Sequence, residues 1–298
     1  MSDARTMTDT AAEPVETGAG ERSDAVPRNT PPRDARFGML GVFAITYLAF
    51  IYIPVLFLPL FSFNDATTIA FPLKGFTFNW YLQMTEAKGL IDSLLNSIKV
   101  GVPVAVVSTL LGTLAAKAYT RYRMPGVTPL VGFIMAPLVV PGIIVGISIL
   151  IIVNWIGIPL SLYTVGFAHL PACTAFSMWI MISRMEGFDA SMEEASLDLG
   201  VGPWGTFWRV TFPLIMPGIV ASLLLTFTIS FDEFILAFFL AGKEATLPIY
   251  IYSQLRFPWQ LPNVLAMGSI ILVASFVLVY FAEWFRRRGV NLQTDTGV

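Results

Sequence analysis

Six runs of predominantly apolar residues, near positions 37–61, 93–119, 127–155, 160–182, 214–240 and 264–285, constrain this chain more than anything else in it. About twenty such residues in a helix span the roughly 30 Å hydrocarbon core of a bilayer. Inside that core the backbone must satisfy its own hydrogen bonds, which only a helix or a closed barrel achieves. Runs this long and continuous read as helices, so the expected fold is an all-α membrane protein with six transmembrane helices. The side-chain balance agrees: 13% of the 298 residues are charged and the mean hydropathy is +0.71. A soluble domain carries about 25% charge.

Residues 1–36 have no apolar run and are rich in Asp, Glu, Thr, Pro and Arg, so a disordered tail is expected there. No cleavable apolar leader precedes the first run, which is then expected to act as the targeting signal itself. Asn79 to Leu95 is expected to form one or two short interfacial helices anchored by Trp80 and Tyr81. The third run carries the breakers Pro137, Pro141, Gly142 and Gly146, tolerated where neighbouring helices or a cavity satisfy the freed backbone. Arg286-Arg287-Arg288 closes the last run, giving a membrane domain over 37–288 and a short tail over 289–298.

Positive charge sorts the ends of the runs into two sets. One set carries Arg28, Arg33, Arg36, Lys117, Arg121, Arg123, Arg184, Arg209 and the arginine triplet. The other carries only Lys74, Lys88, Lys243 and Arg256, with Lys99 near a helix end. Cytoplasmic loops hold the excess of Lys and Arg. Both termini, and the polar segment between the fourth and fifth runs, are therefore expected in the cytoplasm.

The chemistry is sparse. No Gly-x-x-x-x-Gly-Lys-Ser/Thr sequence occurs, so ATP hydrolysis, if it drives this chain, has to come from another subunit. The one histidine, His169, excludes a multi-His metal site and is expected to bond a neighbouring helix. The one cysteine, Cys173, lies in an apolar run and reads as a packing residue. The costly residues are Asp232 and Glu233, deep in the fifth run between Phe231 and Phe234. An acid there needs a partner or a watery cavity. As neighbours on a helix, the two point about 100° apart. A carboxylate beside aromatic rings is the recipe for holding an alkyl-ammonium cation. Two readings are open: one acid faces a central pathway with Phe231 and Phe234 beside it, or both pair with Lys99 or another chain.

The segment from Glu194 to Pro213 separates two membrane-crossing runs, so it is a loop at a membrane face. Ser191 to Leu199 favours helix and carries Glu193, Glu194 and Asp198; Gly200 and Gly202-Pro203 then stop it and turn the chain. Trp204, Phe207 and Trp208 are too apolar for a free loop and suit docking or the interface. A helix stranded there is best explained as a handle for another protein. The spacing of Glu194, Ala195, Gly200, Val210 and Pro213 resembles the EAA loop of ABC-importer permeases. Ser196 stands where Ala is usual in that family, and Phe212 where Leu is usual. The resemblance implies a coupling helix that inserts into a groove on a cytoplasmic ATPase, with Glu193, Glu194, Ala195, Asp198, Gly200 and Pro213 as its coupling residues.

From about Phe37 onward the chain also resembles the second permease subunit of spermidine/putrescine importers. The shared features include Asn96-Ser97, Arg121-Tyr122-Arg123, Ser230 to Phe234 and Leu247 to Ser253. That resemblance implies a type I importer in the bacterial inner membrane. It would comprise two different permeases, two ATPase subunits and an external binding protein, with no cofactor on this chain and a small cationic cargo. Another cargo in the same architecture is an alternative: thiamine, a ferric ion, an opine or an amino-acid derivative. A secondary transporter coupling protons through Asp232 and Glu233 is a different class, and it gives no reason for the Glu194 loop.

Overall fold

The computed structural model describes residues 39–67, 69–122 and 125–294. The expected N-terminal tail and Arg123 lie outside these residues, as do the side chains of Arg286 to Arg288. In chain order the helices are α1 (Met39–Ser62), α2 (Asn79–Glu86), α3 (Lys88–Arg121) and α4 (Val127–Met135). A 3-10 turn (Ala136–Leu138) leads to α5 (Gly142–Trp155), then α6 (Leu162–Glu186), α7 (Ser191–Asp198) and α8 (Pro203–Thr206). A π-helical turn (Phe207–Thr211) runs into α9 (Phe212–Phe231), followed by α10 (Ile235–Leu240) and α11 (Leu247–Gln254). A 3-10 turn (Pro258–Gln260) opens α12 (Leu261–Thr294), which continues past the arginine triplet expected to close the membrane region.

The chain divides into two compact units, residues 1–51 and 52–298. The described part of the first is the opening half of α1, whose Val42, Phe43, Ile45, Tyr47 and Leu48 are all exposed. Apolar side chains bared all round a helix belong in lipid or against another membrane helix.

Within the second unit, α3, α6 and α9 pack together as the central layer. Small and hydroxyl residues let them approach closely, the usual device where lipid already surrounds apolar surface and packing must drive association. Ser222 of α9 donates to Ser177 of α6 at 2.7 Å and lies 3.2 Å from the Thr109 hydroxyl of α3, so one buried polar seam joins all three helices. Around it, Val100, Val104, Val165, Ala168 and Cys173 pack against Leu236, Ala237 and Leu240 of α10. Toward the other end, Ala116 packs with Met178, Met181, Met185 and Ile215. Cys173 is thus a packing residue.

Among the described residues, five helical stretches are long and apolar enough to cross a membrane; a sixth exists only if α4 and α5, bent by 96° across Val139–Pro141, count as one span. Pro137 and Pro141 flank the bend and Gly142 opens α5, whereas Gly146 lies inside α5 and does not break it. The expected interfacial helix forms as α2, but its rings turn inward. Trp80 Nε1 donates to the Asn64 carbonyl at 3.0 Å, and the Tyr81 hydroxyl lies 2.6 Å from that of Ser62.

Candidate functional site

The loop between α6 and α9 folds as a braced surface helix. Asp189 accepts the Ser191 N–H at 3.0 Å, and this bond, with the Arg121 charge nearby, holds its carboxyl below the usual aspartate range. A negative charge is favourable at the N-terminal end of α7. Gly200, at φ +80°, ends the helix in the left-handed conformation that side-chain-bearing residues avoid. On α7 the acids face different ways. Glu194, Ala195 and Asp198 are exposed, with Leu199 85% exposed just beyond, while Glu193 is turned inward and only 14% exposed. Gly200 is exposed too, and Pro213 is an exposed first-turn residue of α9.

Glu193 is where several chain ends meet. Its Oε1 accepts the Thr211 hydroxyl at 2.5 Å, and its Oε2 lies 3.2 Å from Arg121 Nε as an ion pair without hydrogen-bond geometry. Arg121, at the end of α3, also donates to the carbonyls of Met185 (3.1 Å) and Phe188 (3.5 Å) and stacks 4.4 Å over the Phe188 ring. Beside it, Lys117 sits 4.6 Å over the Phe207 ring, and Arg184 donates twice to the Leu214 carbonyl. Three cations counted toward membrane orientation therefore brace the loop end of the fold. Ser196, the departure from the family's usual Ala, places its hydroxyl 3.0 Å from that of Thr206 and so ties α7 to α8.

The second cluster lies at the far end of α9. Twenty helical residues rise about 30 Å, one hydrocarbon thickness, between Phe212 and Phe231. Asp232 and Glu233 were expected within a continuous fifth helix; instead the helix ends at Phe231 and restarts as α10, with both acids in the break. Glu233 caps the restart. Its carboxylate accepts the N–H groups of Ile235 (2.9 Å) and Leu236 (3.1 Å), capping α10 as an N-cap side chain does. Asp232 has no polar side-chain partner among the described residues. It lines a cleft of about 320 Å³ with Phe231, Phe234, Tyr252 and Leu255. The Phe234 and Tyr252 rings lie 5.0 Å apart. Lys99 pairs with neither acid; its Nζ reaches Asn96 Oδ1 of its own helix at 3.5 Å. As expected, His169 bonds a neighbouring helix, its Nδ1 lying 2.9 Å from the Ser230 hydroxyl just before the break.

The braced surface helix and the open acid thus lie at opposite ends of α9. The chain belongs to the family of binding-protein-dependent transport system inner membrane components, whose model matches residues 108–289, and it is a multi-pass inner-membrane protein. It is 32% identical to the spermidine/putrescine transport system permease protein PotC of Escherichia coli K12, over 83% of this chain and 93% of that one. The PotC of Haemophilus influenzae is 31% identical (85% and 98% covered), and the putrescine transport system permease protein PotI of Escherichia coli K12 is 33% identical (79% and 86%). Among solved structures, a bacterial ABC transporter involved in importing the acidic polysaccharide alginate superposes with a TM-score of 0.64 at 20% identity. It covers 82% of this chain and 95% of its own. That match shows an ABC-transporter fold.

Two contributors escaped the sequence reading. Thr211 carried no signal at all, and Arg121 was legible as a charge at a span end and as part of the Arg121-Tyr122-Arg123 resemblance, not as a partner of Glu193.

Proposed function

We propose that this chain is one of two permease subunits of an ATP-driven importer for polyamines of the spermidine and putrescine class. The observation that carries this reading is the Asp232 carboxylate in an aromatic cleft, without a polar side-chain partner among the described residues, in a chain about one-third identical to permeases named for those cargoes. Polyamines are alkyl-ammonium cations. A carboxylate supplies the opposite charge and ring faces supply their quadrupole, while a partly apolar lining strengthens both. Phe231 and Phe234 flank the acid; Glu233 serves the backbone rather than the cargo.

On this reading the termini and the α7 loop face the cytoplasm. Residues 1–36 and 289–298 are tails about a permease domain spanning 37–288. Glu194, Ala195, Asp198 and Gly200 offer α7 to an ATPase subunit, and Pro213 fixes the start of the span behind it. A loaded binding protein docks outside, ATP binding draws the α7 helices together, and the cleft opens to receive the cation. The drive comes from the difference in ATPase contacts between the two states.

The test is uptake of labelled spermidine and putrescine by cells lacking the chain and complemented with variants. Deletion abolishes ATP-dependent uptake and wild type restores it. Asp232→Asn lowers uptake about tenfold while leaving capture by the external binding protein intact, as expected for losing a charge worth about 1.4 kcal/mol while the aromatic rings remain. Polyamine uptake that is indifferent to deletion overturns the cargo, and uptake unchanged in Asp232→Asn removes the cleft from the pathway.

A further inference from the structure

We infer that Arg121, Glu193 and Thr211 form a clamp that makes α7 move as one body with the ends of α3, α6 and α9, with Glu193 as a positioning residue rather than an ATPase contact. The inference rests on the reading of α7 as a coupling helix and adds what holds it to its own chain. A surface helix joined only through its backbone ends, with Gly200 and Gly202 on one side, would hinge under load. Force applied to it would be spent on the loop and not on the spans.

The structure supplies cross-ties where that hinge would act. Glu193, in the first turn of α7, bonds Thr211 of the π-turn at 2.5 Å and pairs with Arg121 of α3 at 3.2 Å. Arg121 in turn holds the Met185 carbonyl at the end of α6 and lies on Phe188, the residue that leads into α7. One carboxylate thus joins, directly or through one guanidinium, four separate segments. The π-turn matters because its extra residue resets the helical register just before α9, and it is within this turn that the Thr211 hydroxyl, 1% exposed, meets α7. Glu193 and Arg121 are only 14% and 13% exposed, so neither is offered to a partner. The next residue, Glu194, points about 100° away and is exposed. The adjacent acids therefore divide two tasks, one holding the helix to this chain and the other facing outward.

The experiment uses the assembled transporter in proteoliposomes, measuring solute imported, ATP hydrolysed and ATPase subunit retained. Glu193→Gln and Arg121→Gln keep the ATPase at wild-type stoichiometry. Each raises the ATP spent per solute imported about tenfold, because removing one member of a shielded pair strands the other charge. Exchanging the pair, Arg121→Glu with Glu193→Arg in one chain, recovers the part of that loss carried by the ion pair, though not the part carried by the Met185 and Phe188 carbonyls, and a purely local folding defect would allow no recovery. Thr211→Val, which keeps shape and removes the donor, gives a smaller rise that does not add to that of Glu193→Gln. An unchanged ratio in the single variants overturns the clamp, and so does release of the ATPase by Glu193→Gln. Glu194→Lys separates the two ideas: if it leaves both ATPase retention and transport intact, the coupling reading itself has failed, whatever Glu193 does.

Discussion

Gly112 of α3 lies so close to Ser177 of α6 that a methyl group in its place would overlap the serine side chain and sit 2.7 Å from the Met178 nitrogen. The neighbour is backbone and cannot step aside. Ser177 is itself engaged by Ser222, so displacing it also breaks the seam to α9. Gly112→Val is expected to cost about 1–3 kcal/mol or more, as overpacking does. Thermal unfolding of purified protein in detergent reads this as a lowered midpoint, with Gly132→Ala, where nothing lies within 4 Å, as the neutral control.

At the helix break the two acids make different contacts. Glu233→Ala strips the α10 amides of their acceptor and should destabilise by about 1 kcal/mol, the usual worth of a cap. Glu233→Gln keeps an oxygen in place and should transport nearly as wild type. Uptake assays alongside Asp232→Asn decide the matter; equal loss in both conservative variants would mean that Glu233 serves the cargo as well.

Gly200 adopts φ +80° with open space around it, so its constraint is conformational and not steric. Gly200→Ala forces a side-chain-bearing residue into a left-handed state costing about 1–2 kcal/mol. Transport is expected to fall severalfold while the chain remains inserted. Gly200→Pro also forbids the positive φ and removes the N–H that bonds Leu197, and transport is expected to be lost. Membrane fractionation with uptake measurement distinguishes a loop defect from a failure to insert.

Ser196→Ala restores the residue usual in the family and deletes the hydroxyl facing Thr206. Thr206 keeps a fallback in the Val201 carbonyl at 3.4 Å, so the cost should stay below about 1 kcal/mol. Transport should be indistinguishable from wild type. A large loss would show that the α7–α8 tie carries force.

How far the sequence was readable depended on whether a feature announces itself locally. Gly200 and Gly202-Pro203 mark the end of α7 because those residues have few other uses. The α4–α5 bend was foreshadowed by Pro137, Pro141 and Gly142. The break at Asp232 was not, since no proline or glycine marks Ser230 to Phe234; what is found there is a side chain capping the restarted helix. The Arg121–Glu193 pair joins residues distant in sequence, and Lys117, Arg121 and Arg184 read as membrane-flanking charges until their carbonyl, ring and carboxylate partners are seen. Local pattern reveals turns; it does not reveal who holds whom.

The 96° bend ahead of α5 has a consequence for the cell. Between Leu138 and Gly142 the chain leaves the helix in the middle of an apolar stretch, with Val139 84% exposed. The Pro141 carbonyl is taken up by the Ile144 and Val145 N–H groups, but any other carbonyl freed at such a bend inside a bilayer needs a partner that acyl chains cannot supply. A copy made without its neighbours would carry that irregular backbone into the bilayer uncovered. If a partner permease is what covers the bend, the steady-state abundance of this subunit should follow that of the partner, so that gene dosage of one sets the lifetime of the other.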